Sequence, residues 1–179
     1  MKKTVLTFGL ISGAILSVMM LITIPFQDSI GWDKGEILGY TTMLLAGLLI
    51  YFGVRSYRDL VGGELSFGRA LAVGAMIAAV ASVCYVATWE VIYYKISPDF
   101  PQKYQAHMIE QAKASGGSQV EIEKKVAEAQ KTAELLKNPL IYLAFTFLEP
   151  LPVGLVIALV SAAVLGRRRK SRESSLAPA

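Results

Sequence analysis

The chain has 179 residues, of which 54% are hydrophobic and only 18% charged, with a formal net charge of +4. Soluble domains carry roughly 25% charged residues, so the composition favours a membrane protein and excludes a disordered chain, a collagen or a disulfide scaffold. Cys84 is the single cysteine and His107 the single histidine, which excludes an intrachain disulfide and the usual Cys/His zinc sites.

Residues 4–24 contain no charge. At about 1.5 Å per residue such a run crosses a hydrocarbon core about 30 Å thick. Its length and its end at Thr23-Ile24-Pro25-Phe26-Gln27 fit an uncleaved anchor better than a signal peptide, whose apolar core is about 7–15 residues. Gly31, Asp33 and Gly35 read as a polar turn before a second charge-free span, 37–54. In the connector that follows, Gly62-Gly63 reads as a turn, and Ser66 begins the next helix. The third span, 70–94, is interrupted only by Glu90.

Composition changes sharply over 95–138, which carries seven lysines and six acids. Ser97-Pro98-Asp99-Phe100-Pro101 breaks the helix. A helix over 102–114, a turn at Ser115-Gly116-Gly117 and a second helix to about 137 form an extracytoplasmic helical hairpin. Ser118 and Glu121 have the spacing of a capping box. Ile122, Val126, Ala129, Ala133 and Leu136 make an apolar stripe, with Tyr104, Met108 and Ala112 as a weaker counterpart. His107, without ligands around it, reads as a surface or hairpin-packing residue. The fourth span, 139–165, is interrupted by Glu149, Pro150 and Pro152. The expected fold is therefore all-α: one multi-pass membrane domain, 1–170, with four transmembrane helices plus the hairpin, and a flexible tail, 171–179.

Lys and Arg near membrane spans mark the cytoplasmic side. Every arginine falls on the side of the N-terminus, so both termini are expected in the cytoplasm. Arg167-Arg168-Arg169-Lys170, directly after an apolar span, reads as an anchor against anionic lipid rather than a nucleic-acid patch.

Membrane helices associate by close van der Waals fit, which small residues permit. Gly9, Gly13 and Ser17 recur at four-residue spacing, as do Ala70, Gly74, Ala78 and Ser82, and Gly154, Ala158, Ala162 and Gly166. These faces fit a tight four-helix bundle, with a homodimer seam as the alternative.

Glu90 and Glu149 are the two acids within spans. A charge at mid-bilayer costs about 2.5–3.5 kcal/mol on insertion scales, so each is a candidate polar site. Glu90 lies among Trp89, Tyr93 and Tyr94, an interfacial belt, with Lys95 as its expected partner. Glu149 lies about 15 Å along its helix. Pro150 and Pro152 after it have no amide to offer the carbonyls of Thr146 and Leu148. Interrupted helices with an acid and freed carbonyls are what cation or proton sites use. The plainer alternative is a kinked helix whose protonated Glu149 bonds a neighbouring helix.

Four stretches together resemble the bacterial membrane family called domain of unknown function 4199. They are Gly62-Gly63-Glu64-Leu65-Ser66-Phe67-Gly68-Arg69-Ala70, Ser97-Pro98-Asp99-Phe100 with Tyr104, Asn138-Pro139, and Glu149-Pro150-Leu151-Pro152-Val153-Gly154-Leu155 followed by basic residues. The resemblance implies a small multi-pass protein of the inner membrane with an extracytoplasmic helical segment, and transfers no catalytic residues. The leading expectation is a non-enzymatic scaffold or accessory subunit whose hairpin contacts a partner. The alternative is a cation- or proton-coupled transporter or channel component centred on Glu149, in an oligomer. Expected contacts are the lipid bilayer and either a second copy or a membrane partner protein, with no nucleic acid, metal or cofactor.

Overall fold

A computed structural model describes residues 1–166, so the basic anchor at 167–170 and the tail lie outside the described residues. It contains four helices long and apolar enough to cross a membrane: α1 (Lys2–Ile30), α2 (Trp32–Leu60), α3 (Phe67–Ile96) and α6 (Pro139–Leu165). Two polar helices, α4 (Phe100–Ala114) and α5 (Gln119–Leu135), stand between α3 and α6.

Three of the long helices run past the apolar segments that announce them, while α6 keeps to the expected 139–165. α2 takes in Asp33, Lys34 and Glu36 at one end and Arg55, Arg58 and Asp59 at the other. Charge ends an apolar run, but it does not end backbone hydrogen bonding, and Asp33 in the first turn suits the positive end of the helix dipole. The expected polar turn is consequently confined to Gly31, at φ +87°, while Asp33 and Gly35 are helical. Pro25 tightens α1 into one 3₁₀ turn, Ile24–Phe26, without stopping it. Gly62 and Gly63, both near φ +87° (+89° and +85°), make the turn before α3. That region is open to glycine and costly for other residues. Pro139 opens α6, where Asn138 caps it by accepting from the Leu140 amide at 3.0 Å.

α3 is the centre of the bundle. It packs along α1 on one side and α6 on the other, and α2 closes the remaining side against all three. One end of the bundle gathers the N-terminus, Arg55, Arg58, Arg69 and the end of α6, where Gly166 lies against the backbone of Phe67. At that end the core is Val54, Ala70, Val73, Ile77, Ala158 and Ala162, none of them accessible. Toward the other end the core holds Leu16, Met20, Met43, Ala46, Tyr85 and Ile92.

The outward surface is apolar. Leu10, Val18 and Ile22 on α1 and Leu44, Leu45 and Leu48 on α2 are all exposed. A soluble protein rarely presents so wide an apolar surface, whereas lipid demands it.

Candidate functional site

The small-residue faces meet inside the chain. A β-carbon built on Gly74 would stand 2.7 Å from Ala158 Cβ, and one on Gly154 would stand 2.7 Å from Ala78 Cβ. α3 and α6 therefore cross with glycine on each helix opposite alanine on the other. On α1, a β-carbon at Gly9 would stand 2.7 Å from Val80 Cβ, and one at Gly13 2.5 Å from Cys84 Cβ. Ser17, the next residue of that face, shares a hydroxyl–hydroxyl bond of 2.6 Å with Thr88 of α3. Ser12 donates across to the Ala46 carbonyl at 3.0 Å. Hydrogen bonds between helices count in lipid because no water competes for the groups.

Above the small-residue contact, α3 and α6 are joined by aromatic and polar groups. Tyr85, Trp89 and Tyr93 follow at one-turn spacing on α3. Tyr142, Thr146 and Glu149 follow at similar spacing on α6, which runs the other way. The Tyr85 hydroxyl donates to the Glu149 carboxylate at 2.9 Å. The Trp89 indole N–H donates to the Tyr142 hydroxyl. Tyr93 packs on Tyr142 with ring centres 4.8 Å apart. Tyr85 is buried at 7% exposure, while Glu149 is exposed on the flank of the bundle and only its carboxylate turns inward.

α6 is interrupted where Glu149 sits. One helical segment ends at Leu148 and the next begins at Leu151. Pro150 is buried and borders a void of about 20 Å³, lined also by Ser12, Met43, Ser82 and Gly154. That is about the room one water needs. Pro152 lies on the exposed flank. Glu149 itself keeps helical dihedrals, φ −62° and ψ −55°, and its amide still donates to the Phe145 carbonyl at 3.1 Å, so the prolines interrupt the hydrogen-bond ladder without turning Glu149 off the helix.

Glu90 and Glu149 are not joined by a hydrogen bond among the described residues. Glu90 is half-buried, and its expected ion pair with Lys95 is absent from the ion pairs of the described residues. The last turn of α3, Ile92–Ile96, is π-helical, which changes the angular spacing beyond Glu90 from that of an α-helix.

A second cluster closes the same end. Trp32 at the start of α2 stacks on His107 of α4, ring centres 5.0 Å apart and planes 11° from parallel. Trp32 also meets Phe100 at 5.5 Å and Tyr104 at 5.8 Å. Phe100 in turn sets its edge on Trp89 at 5.1 Å. Lys103 donates to Asp28 at 2.6 Å and pairs with Asp99 at 3.0 Å. These hydrogen bonds raise the Lys103 ammonium above its ordinary range, and Lys103 together with the backbone of Asp99 itself holds the Asp99 carboxyl below its own. The Tyr104 phenol is raised by burial and then by the charges of Glu36 and Glu149.

Tyr104 is therefore not part of the seam between α4 and α5. It is 47% exposed there, as Met108 is 37%. Ala112 is buried in that seam, with Ile109 and Gln105 half-buried beside it. The stripe on α5 is half-buried at Ile122, Val126, Ala129, Ala133 and Leu136. The capping box closes as the spacing requires: Glu121 accepts from the Ser118 amide at 2.9 Å, and Ser118 from the Glu121 amide at 3.4 Å.

Tyr85, Tyr142 and Trp32 carry this end of the molecule, and sequence reasoning passed over all three. Tyr85 had a usable signal. It precedes Trp89 by four residues and Tyr93 by eight, which puts the three on one helical face. Trp32 had none, because its partners lie some 70 residues away in sequence.

Among known families, the one described as "Protein of unknown function (DUF4199)" matches residues 7–167. No curated protein and no solved structure matches the chain.

Proposed function

The chain belongs to the DUF4199 family, whose description assigns no activity, and we propose that it works as a non-enzymatic integral membrane scaffold or accessory subunit. In this reading α4 and α5 project on the outer side of a bacterial inner membrane and contact a partner, with both termini in the cytoplasm. The basic end of the bundle supports that orientation, because Lys and Arg favour the cytoplasmic side. The observation that carries the partner role is the seating of α4. The Trp32 stack and the Lys103 pairs dock it on the bundle through side chains, and the charged face of α5 points away, with Lys124 and Glu128 both exposed. A photo-crosslinking residue at Lys124 or Lys131, in native membranes, tests it. A discrete crosslinked protein is expected there, and none from a lipid-facing position such as Leu45. Crosslinking to lipid alone from every α5 position would count against the scaffold.

One observation favours a second reading, the Tyr85–Glu149 bond. A carboxylate at membrane depth, beside a helix interruption, with a phenol as its hydrogen-bond partner, is built like the cation or proton sites of interrupted helices. Four helices leave little room for a pathway, so this reading calls for an oligomer. Cation or proton flux in proteoliposomes, lost in Glu149→Gln, is its expected result. A Glu149→Gln chain that folds and conducts as the parent does would rule it out.

A further inference from the structure

We infer that α4 is a releasable strap: seated on Trp32, it shields the Glu149–Tyr85 pair from water at the outer mouth of the bundle, and its release opens that pair. Three observations carry this. First, ring contacts connect the strap to the walls of the site. Phe100 of α4 touches Trp89, one turn from Tyr85 on the same face of α3. Trp89 in turn holds Tyr142, two turns from Glu149 on α6. Unseating Phe100 therefore frees an indole that positions the α6 wall of the site.

Second, the seat is thin. The close backbone packing of α4 is with α5, and the bundle is reached by side chains: Asp28, Trp32 and Trp89 on one side, Phe100, Lys103, Tyr104 and His107 on the other. Ala112 is the one buried residue of α4 and belongs to its seam with α5. The ion pairs are exposed, with Lys103 at 45% and Asp28 at 65%. Few buried contacts and exposed bonds mark segments that open far below the global unfolding energy. Third, the seat is not fully packed. A void of about 20 Å³ remains beneath the strap, lined by Pro25, Gln27, Asp28, Trp32, Phe100 and Lys103.

Glu149 is exposed on its flank to the surroundings of the bundle, and α4 stands at the outer end, against Trp89. The two routes to it call for reagents of different kind. A partner gripping α4 and α5 would compete for the strap, and that coupling rests on the scaffold reading. Access to Glu149 is a property of this chain alone.

The test labels Glu149 in the purified full-length chain in lipid nanodiscs with a lipid-soluble or a water-soluble carbodiimide, read by mass spectrometry. In the parent the lipid-soluble reagent is expected to modify Glu149, while the water-soluble one modifies it little. In Trp32→Ala, labelling by the water-soluble reagent rises several-fold and labelling by the lipid-soluble one does not. Lys103→Ala removes only an exposed side chain, keeps the bundle intact and gives the same change in smaller measure. Amide exchange over 99–114 reports release of α4 independently. Equal water-soluble labelling in parent and both variants, with α4 shown to be released, overturns the strap. Strong water-soluble labelling of the parent overturns it too. Neither result depends on flux or on recovering a partner, so the strap and the functional readings fail separately.

Discussion

The two ends of the bundle are built on different physics. At the basic end, α3 and α6 touch through Gly74, Ala78, Gly154 and Ala158, and the core has no accessible atoms at Val54, Val73 and Ile77. At the other end, tyrosines, tryptophans and an acid stand between the same helices, and the closing element is a polar helix held by side chains. Close backbone approach leaves no room for alternatives, because an interior at crystal-like density cannot yield without loss. Hydrogen bonds and ring stacks are individually exchangeable. The difference teaches that the first end is held by backbone fit, which tolerates little change, and the second by side-chain contacts that can be removed one at a time.

The largest expected break lies at the base. Gly74→Ile drives a side chain into the Ala158 backbone, whose Cα would stand 3.1 Å from the new Cβ. Overpacking of this kind costs about 3 kcal/mol, and the melting temperature in detergent should fall sharply. Gly39→Ile is the control. Nothing lies within 4 Å of a β-carbon there, and stability should hold.

Trp32→Ala probes the opposite end. It removes three ring contacts, each worth about 0.5–1.5 kcal/mol beyond area burial. Amide protection over 99–114 should collapse while the protection of α3 persists. Equal loss in both regions would mean the two ends fold as one unit, against the contrast drawn here.

Tyr85→Phe takes the hydroxyl from Glu149 and should cost about 1 kcal/mol. In a double-mutant cycle with Glu149→Leu, which leaves no acceptor for that hydroxyl, much of that loss should already be present in the single Leu variant. Full additivity would show that the bond contributes nothing to stability. Ser118→Ala removes a cap worth about 1 kcal/mol, and only the first turn of α5 should fray in amide exchange.

The smallest effect is that of pH on the strap. Asp99 has a lowered pKa through Lys103 and its own backbone, so its contribution is present above its unfolded value of about 3.9. It is lost as pH falls through the lower folded value. Lys103 has a raised pKa through Asp28 and then Asp99, so its contribution is present below about 10.4 and lost as pH rises through the higher folded value. Protection of α4 should accordingly peak at intermediate pH and decline at both extremes. Screening by solvent keeps the change slight, and a flat profile would remove the ion pairs from the seat.

Helix positions were largely legible from the residues. Long charge-free runs placed four spans, and prolines at 98, 101 and 139 placed the breaks, because both signals act through the local backbone. Span ends were misjudged by up to six residues, since charge continues a helix outside lipid as readily as inside a soluble protein. Small residues at four-residue spacing announced a contact face but not its partner. That Gly74 meets Ala158 rather than a second copy of itself depends on which helices become neighbours.

By itself the sequence determined an all-helical chain with four apolar spans, a polar insert and two acids within those spans, because hydropathy and proline act locally. Only the tertiary structure decided what those acids face. Glu149 reaches Tyr85 across 64 residues of sequence, Glu90 is left without Lys95, and His107 stacks on Trp32. Each of these pairings depends on the rotation of one helix about its axis relative to another. Hydropathy does not encode that angle, and close packing of the whole bundle sets it.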